Sequence, residues 1–189
     1  MIVVVAGGIG TGKSAVIKIL EDLDAKVVSA DSINRELLND NTYIEKIGST
    51  FSGIVKNGKI DKKELRNLIF NDEDSRLKLN SIAHPLIFSK IAEMACSLPL
   101  VFIEIPLFIE CRDYIKYDIL WAVRASNEIR ATRVAQRDNI SISSAYKIID
   151  AQYRENEIYD MADFIIHNDG DLDNLKEQVI AVYNKCLIK

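Results

Sequence analysis

The stretch that most constrains this chain lies near its start. A β-branched apolar run, Ile2-Val3-Val4-Val5-Ala6, leads into Gly7-Gly8-Ile9-Gly10-Thr11-Gly12-Lys13-Ser14-Ala15. Behind it Val16, Ile17, Ile19, Leu20 and Leu23 recur with the helical period, so a strand, a glycine turn and an amphipathic helix follow one another. The spacing Gly7-x-x-x-x-Gly12-Lys13-Ser14 is that of a phosphate-binding loop. Its residue types explain the chemistry. Glycines allow a tight turn that aims successive backbone N–H groups inward, and the helix N-terminus adds its positive end. Lys13 reaches the outer phosphates of a bound chain, and the Ser14 hydroxyl can ligate Mg²⁺. Gly8, Gly10, Thr11, Gly12, Lys13, Ser14 and Ala15 are the candidate phosphate-binding residues.

The continuous apolar run at Ile2–Ala6 implies a central parallel strand covered on both faces. Residues 26–29, ending at Ala30-Asp31, read as a second strand, which completes a βαβ unit. Further apolar runs at 100–105, 118–123 and 163–167 give five strands and an α/β fold with a parallel sheet flanked by helices. Residues 32–97 carry helical stripes with turn signals at Gly53 and Asn57-Gly58, and no convincing buried strand. Ser32–Leu38 is expected as a helix that Asp31 would cap, and His84-Pro85 is expected to interrupt one helix and start another. This insertion is too long for a plain crossover and implies cover for a substrate. A final helix is expected over Leu172–Leu187, after a turn at Asn168-Asp169-Gly170.

With 189 residues the chain can hold one large domain with appended substructures. The net charge of −4 argues against general nucleic-acid binding. Cys96, Cys111 and Cys186 are widely spaced and form no C-x-x-C, so reduced thiols in the cytoplasm are expected, with Cys96 and Cys186 as small buried residues. The N-terminal apolar run is too short to span a membrane and no charged leader precedes it, so it reads as a strand.

Three features outside the loop carry chemistry. Asp31 stands just past the end of the second strand, the edge at which open α/β sheets bind ligands, and suits an acceptor-orienting or proton-taking carboxylate. Glu104 closes the third strand and suits a Mg²⁺-related role, more naturally through water than by direct ligation. Arg130, Arg133 and Arg137 fall at spacings of three and four, on one helix face, with Arg124 upstream. Like charges so placed repel unless an anion or carboxylates lie opposite, and a lid that clamps phosphates accounts for them. Ser141 is placed to cap a second lid helix. His167 reads as a strand-end surface residue. His84 is divided between a substrate contact and a structural role at a helix start. Together these features imply ATP-dependent phosphoryl transfer to a small molecule, with Lys13, Asp31 and Arg137 as catalytic residues and Arg133 assisting at the ATP. No N-K-x-D or T-K-x-D marks guanine selection.

The chain resembles the dephospho-CoA kinase family along nearly its whole length. The resemblance is carried by the phosphate loop, Ala30-Asp31 with Arg35, Gly58-Lys59-Ile60-Asp61, Leu65 to Phe70, and Ile82-Ala83-His84-Pro85. It continues through Ile105-Pro106-Leu107-Phe108-Ile109-Glu110, Arg137-Asp138, Ala151-Gln152, Ala162-Asp163 and Asn168-Asp169-Gly170. It implies a P-loop kinase fold and phosphorylation of the ribose 3′-hydroxyl of dephospho-CoA by ATP with Mg²⁺, giving coenzyme A. It also implies a nucleotide-binding core (1–31, 98–124 and 156–189), a helical CoA-binding insertion (32–97) and a lid (125–155). By the same match Asp31 is the catalytic carboxylate and Arg137 the lid arginine. Arg35 and His84 are the residues expected on the substrate.

The family usually carries a threonine at position 6, a second hydroxyl at 15, an aspartate at 104 and an arginine at 62. Here these are Ala6, Ala15, Glu104 and Lys62, while Arg154 and Ile158 replace a common proline and lysine. The cradle is therefore expected to lean on backbone N–H groups and Lys13. The expected partners are ATP and dephospho-CoA, with no nucleic acid and no membrane, acting as a monomer or small homo-oligomer. Two alternatives stay open at this level: a kinase of another alcohol or nucleotide, and a nucleotide-binding module without transfer.

Overall fold

A computed structural model describes residues 1–187, of Tyr153 the backbone only. In chain order it contains β1 (Ile2–Ala6), α1 (Lys13–Asp22), β2 (Val27–Ser29), α2 (Ala30–Leu37), α3 (Asn41–Thr50), β3 (Val55–Lys56) and β4 (Lys59–Ile60). Next come α4 (Lys62–Asn71), α5 (Glu73–Cys96), β5 (Val101–Glu104), α6 (Phe108–Cys111), β6 (Ile119–Arg124), α7 (Asn127–Asp138) and α8 (Ile142–Asp150). The chain closes with α9 (Asn156–Met161), β7 (Phe164–His167) and α10 (Leu172–Leu187), and short 3₁₀ turns at Arg112–Tyr114 and Tyr153–Glu155. Two compact units result. One comprises Met1–Ser29 and the chain from Ser97 onward, and the other is Ala30–Cys96.

The first unit is built on a five-stranded parallel sheet in the order β2-β5-β1-β6-β7. The five expected strands are those observed. Val3, Val4 and Val5 are all fully buried, as a strand covered on both faces requires. One face packs on α1 and α10 through a core that includes Phe102, Trp121, Val179 and Cys186. The Phe102 and Trp121 rings meet edge to face at 5.0 Å. Two acids that precede apolar runs act as staples. The Asp118 carboxylate accepts from Ile2 N (2.6 Å) and the Asp163 carboxylate from Leu120 N (2.8 Å). Because every strand is parallel, Ala6, Ser29, Glu104, Arg124 and His167 end on one edge. Register pairs Glu104 with both Val5 and Ser29 there. The order reverses at β1, with β5 on one side and β6 on the other, which is where open α/β sheets hold ligands.

The second unit is helical, with α5 packed on α2 and α4. Its helix starts are capped by acids: Asp40 accepts from Tyr43 N (2.9 Å) and Asp61 from Glu64 N (3.1 Å). Two expectations are corrected here. The helix after β2 begins at Ala30, so Asp31 lies inside the first turn rather than at the cap. His84-Pro85 does not break the chain, because α5 runs unbroken from Glu73 to Cys96. Pro85 removes one N–H, but Ala83, Ile87, Ile91 and Ala95 stay in phase on one buried face. That shared burial outweighs the single lost hydrogen bond. His84 therefore sits mid-helix, its ring edge to face with Phe88, one turn on. The Asn57-Gly58 turn, with φ of 52° and 72°, closes a two-residue hairpin between β3 and β4. Cys96 is exposed, against expectation, because α5 ends there and turns its last residue outward, while Cys111 and Cys186 are buried. Burial pushes the Cys111 thiol up to about 12.

Candidate nucleotide-binding site

The phosphate loop leaves β1 through Gly7 and enters α1 through Gly12, which holds φ +93° at the helix start. Steric room decides both glycines. A Cβ on Gly7 would lie 2.5 Å from the Val123 carbonyl oxygen, and one on Gly12 would lie 2.0 Å from Asn168 Nδ2. The loop is braced from within and behind. Thr11 is fully buried and its hydroxyl donates to the Gly8 carbonyl (2.9 Å). Asn168, buried beyond the end of β7, donates through Nδ2 to the Thr11 carbonyl (2.8 Å). Lys13 Nζ reaches back over the loop to the carbonyls of Gly7 (2.6 Å) and Gly8 (3.0 Å). The Ala15 amide donates to the Gly12 carbonyl (3.0 Å), while Ser14 is exposed in the first turn of α1. The opening N–H groups of a helix have no intrahelical carbonyl, so this end attracts anions.

Beside the loop lies a cavity of about 400 Å³, within the size range of small-ligand sites. Gly10, Gly12, Lys13, Ser14, Glu104, Arg133, Arg137 and Gln152 line it, together with Ile9, Pro106, Leu107 and Val134. It thus brings together a cationic side, Lys13 with two arginines, and a hard-oxygen pair, Ser14 and Glu104. Among the described residues, no group of three or more His, Cys, Asp or Glu side chains is arranged to hold a metal ion. A hydroxyl and one carboxylate suit Mg²⁺, which keeps several waters and takes its remaining oxygens from substrate phosphates. Chemically, such a cavity can neutralise and orient a phosphate chain.

The arginines on α7 have three different fates. Arg133 lies against the loop, donating to the Asn168 carbonyl (3.1 Å) and to those of Gly10 and Thr11 (both 3.4 Å). Arg137 is exposed at the last turn, its guanidinium forked on Asp138 at 2.8 Å through two donors. That pairing raises the Arg137 pKa and holds the Asp138 carboxyl below its ordinary range. Arg130 corrects the expectation of a uniform phosphate-facing set. Its side chain is only 3% exposed and its donors go to Glu155, Asn127 and the Ile9 carbonyl. Arg124, exposed at the end of β6, stacks over the Tyr159 ring at 5.0 Å.

In the helical unit, Asp31 and Arg35 are both exposed on α2, one turn apart, and so share a face. His84 is half-buried on α5, which Lys90 ties to α2 through Glu36 (3.5 Å). Sequence reasoning missed Asn168, Gln152 and Glu155 as supports of the loop. In the sequence Asn168 reads as part of the turn Asn168-Asp169-Gly170. The pairing of Arg130 with Glu155 spans 25 residues and left no local signal beyond the requirement that some anion face the arginines.

A five-stranded parallel sheet that carries a braced phosphate loop at its switch point, beside a cationic cavity, defines a P-loop phosphotransferase fold. Shikimate kinase from Acinetobacter baumannii shares that fold, with a TM-score of 0.59 at 14% identity over 100% of this chain and 95% of the other. Closer relatives narrow it. The family model for dephospho-CoA kinase matches residues 1–174. A dephospho-CoA kinase from Acinetobacter baylyi is 36% identical over 98% of both chains. A solved structure of dephospho-CoA kinase from Campylobacter jejuni is 32% identical, with a TM-score of 0.74 over 98% of this chain and 96% of that one. The chain belongs to the dephospho-CoA kinase family. Among the described residues no helix is long and apolar enough to cross a membrane.

Proposed function

We propose that this protein transfers the γ-phosphoryl group of ATP to the ribose 3′-hydroxyl of dephospho-CoA, forming coenzyme A and ADP. The observation that carries the reading is the braced loop opening on a cavity lined by Lys13, Ser14, Glu104, Arg133 and Arg137, in a chain of this family. Phosphoryl transfer is dominated by positioning and charge neutralisation, and the cavity offers both. Gly8, Gly10, Thr11, Gly12, Lys13, Ser14 and Ala15 form the phosphate cradle in this reading. Lys13 exchanges its hold on the Gly7 and Gly8 carbonyls for the outer phosphates. Arg137 and Arg133 meet the charge that builds on the transferring group.

Ser14, and Glu104 through water, would hold Mg²⁺, whose charge when bound neutralises the β- and γ-phosphate oxygens. Asp31 follows β2 by two residues and takes the proton from, or orients, the acceptor hydroxyl. Residues 32–97 serve as the CoA-binding insertion, with Arg35 and His84 on the substrate, and 125–155 as the lid that excludes water during transfer. The test is to incubate the protein with ATP, Mg²⁺ and a panel of acceptors, dephospho-CoA among other alcohols and nucleosides, following ADP release and product mass. ADP with a phosphate mass gain on dephospho-CoA supports the proposal. No product from that acceptor, with turnover of another, overturns it.

A further inference from the structure

One buried charge pair beside the phosphate loop has no part in the roles above. Arg130 meets Glu155 through two donors, Nη1 to Oε1 and Nη2 to Oε2, both at 2.6 Å, with the side chains 3% and 12% exposed. The Arg130 Nε–H donates to the Ile9 carbonyl at 2.8 Å. The amide of the same residue, Ile9, donates to Gln152 Oε1 at 2.7 Å. One loop residue is therefore gripped at both its N–H and its carbonyl. The grips come from the first turn of α7 and from the segment that follows α8. Glu155 is held in turn by the Tyr159 hydroxyl, which donates to Oε1 at 2.7 Å. Room for the pair is cut into the loop itself: a Cβ on Gly8 would fall 1.8 Å from Glu155 Oε2 and 2.5 Å from Arg130 Nη2. A side chain at Gly8 would therefore displace the ion pair.

A buried ion pair is poor evidence of stability, since well-packed apolar residues of the same volume serve a core as well or better. What an apolar pair cannot do is donate to the Ile9 carbonyl. A lysine could carry the charge but not the two-pronged fork with a third donor left for the loop. We infer that the Arg130–Glu155 pair is a positioning device for the phosphate loop. It fixes the peptide planes on either side of Ile9 so that the following amides, from Gly10 onward, stand ready for the nucleotide's phosphates. The inference rests on the ATP reading above and assigns positioning roles to Arg130, Glu155 and Gln152.

Glu155→Gln keeps the shape and removes the charge, leaving the fork and the Ile9 grip weakened. The expected result is a loss of about tenfold in affinity for a non-hydrolysable ATP analogue by calorimetry, and an equal rise in KM for ATP. The KM for dephospho-CoA and kcat stay within about twofold, because the interaction is the same in ground and transition states. Arg130→Lys retains charge without the fork and is expected to follow Glu155→Gln rather than the wild type. Should either single variant fold poorly, the double variant Arg130→Gln/Glu155→Gln removes both buried charges. It is expected to recover melting temperature without recovering ATP affinity. A folded Glu155→Gln protein with wild-type ATP affinity would overturn the inference, as would a double variant that regains affinity together with stability. A wild-type protein that binds ATP but leaves dephospho-CoA unchanged would strike the proposed function instead, and the affinity comparison would still be readable.

Discussion

The two units of this molecule present their functional residues in opposite ways. In the sheet unit the candidate groups are over-determined. Gly7 and Gly12 have no room for a Cβ, Thr11 is fully buried, and Arg133 spans three carbonyls around the loop. In the helical unit Asp31 and Arg35 stand exposed on α2, and Phe70, near the end of α4, is 86% exposed. In the proposed function, the difference follows from what each unit would hold. A phosphate chain is small and highly charged, and is recognised by fixed backbone dipoles that cost no reorganisation. An acceptor with a long flexible arm is recognised over a broad surface, on side chains that remain available. In the reading given above, the donor side is preorganised and the acceptor side adaptable.

The largest expected effect comes from breaking the preorganised side. Lys13→Met should lower the transfer rate by about 10³-fold, near the upper end for loss of one electrostatic stabiliser, and weaken ATP binding as well. Steady-state kinetics with calorimetry checks both. A loss confined to dephospho-CoA affinity would blur the contrast between the units.

Stability should separate the units next. Ile91 is 1% exposed on the continuous face of α5, and Ile91→Ala should cost about 2–5 kcal/mol in chemical denaturation. Under conditions where the variant is still folded, its ATP affinity should match the wild type, because Thr11, Asn168, Arg130 and Arg133, the braces described above, belong to the sheet unit.

The smallest effect concerns acid. The Lys56 ammonium, 3.0 Å away, and the Glu64 amide hold the Asp61 carboxyl below its ordinary range. The Ser75 hydroxyl and amide do the same for Asp72. A carboxyl lowered on folding contributes stability above its unfolded pKa, and that contribution fades as pH falls through the lower folded value. The double variant Asp61→Asn/Asp72→Asn should therefore lose part of the stability gained between strongly acidic and mildly acidic pH. Melting temperatures across that range read it directly. An unchanged acid slope would mean that these caps do not set the acid response of the helical unit.

Most of the sheet unit could be read from the chain because its signals are local. Short apolar runs mark all five strands, and the phosphate loop is a contiguous motif between a strand and a helix. The helical unit was harder to read, since helical spacing tells which residues share a face and not what covers that face. Leu65 is buried on α4 while Phe70, on the same helix, is exposed. Pro85 read as a break because the loss of one hydrogen bond is visible in sequence and the burial that offsets it is not. The Asn57-Gly58 turn was legible, but strands of two residues are too short to leave a periodic trace. At the site, Gly10, Gly12, Lys13 and Ser14 of the loop line one cavity with Glu104, Arg133 and Arg137, all residues that type and spacing single out, whereas Gly8, Thr11 and Ala15 are not among its lining. Arg130 was grouped with Arg133 and Arg137 because spacing alone cannot distinguish an arginine facing a ligand from one facing a distant glutamate. Tertiary pairs such as Arg130–Glu155 and Asn168–Thr11 become visible only in the folded chain.

The claim that the donor and acceptor sides are separable is tested most directly by Asp31→Asn, with ATP affinity and single-turnover transfer to dephospho-CoA measured on the same preparation. ATP affinity is expected within about twofold of wild type and the transfer rate lowered by about 10²-fold or more, as for loss of a general base. Near-normal transfer would contradict that claim, leaving Asp31 as a favourable charge in the first turn of α2, and so would a loss of ATP binding equal to the loss of rate.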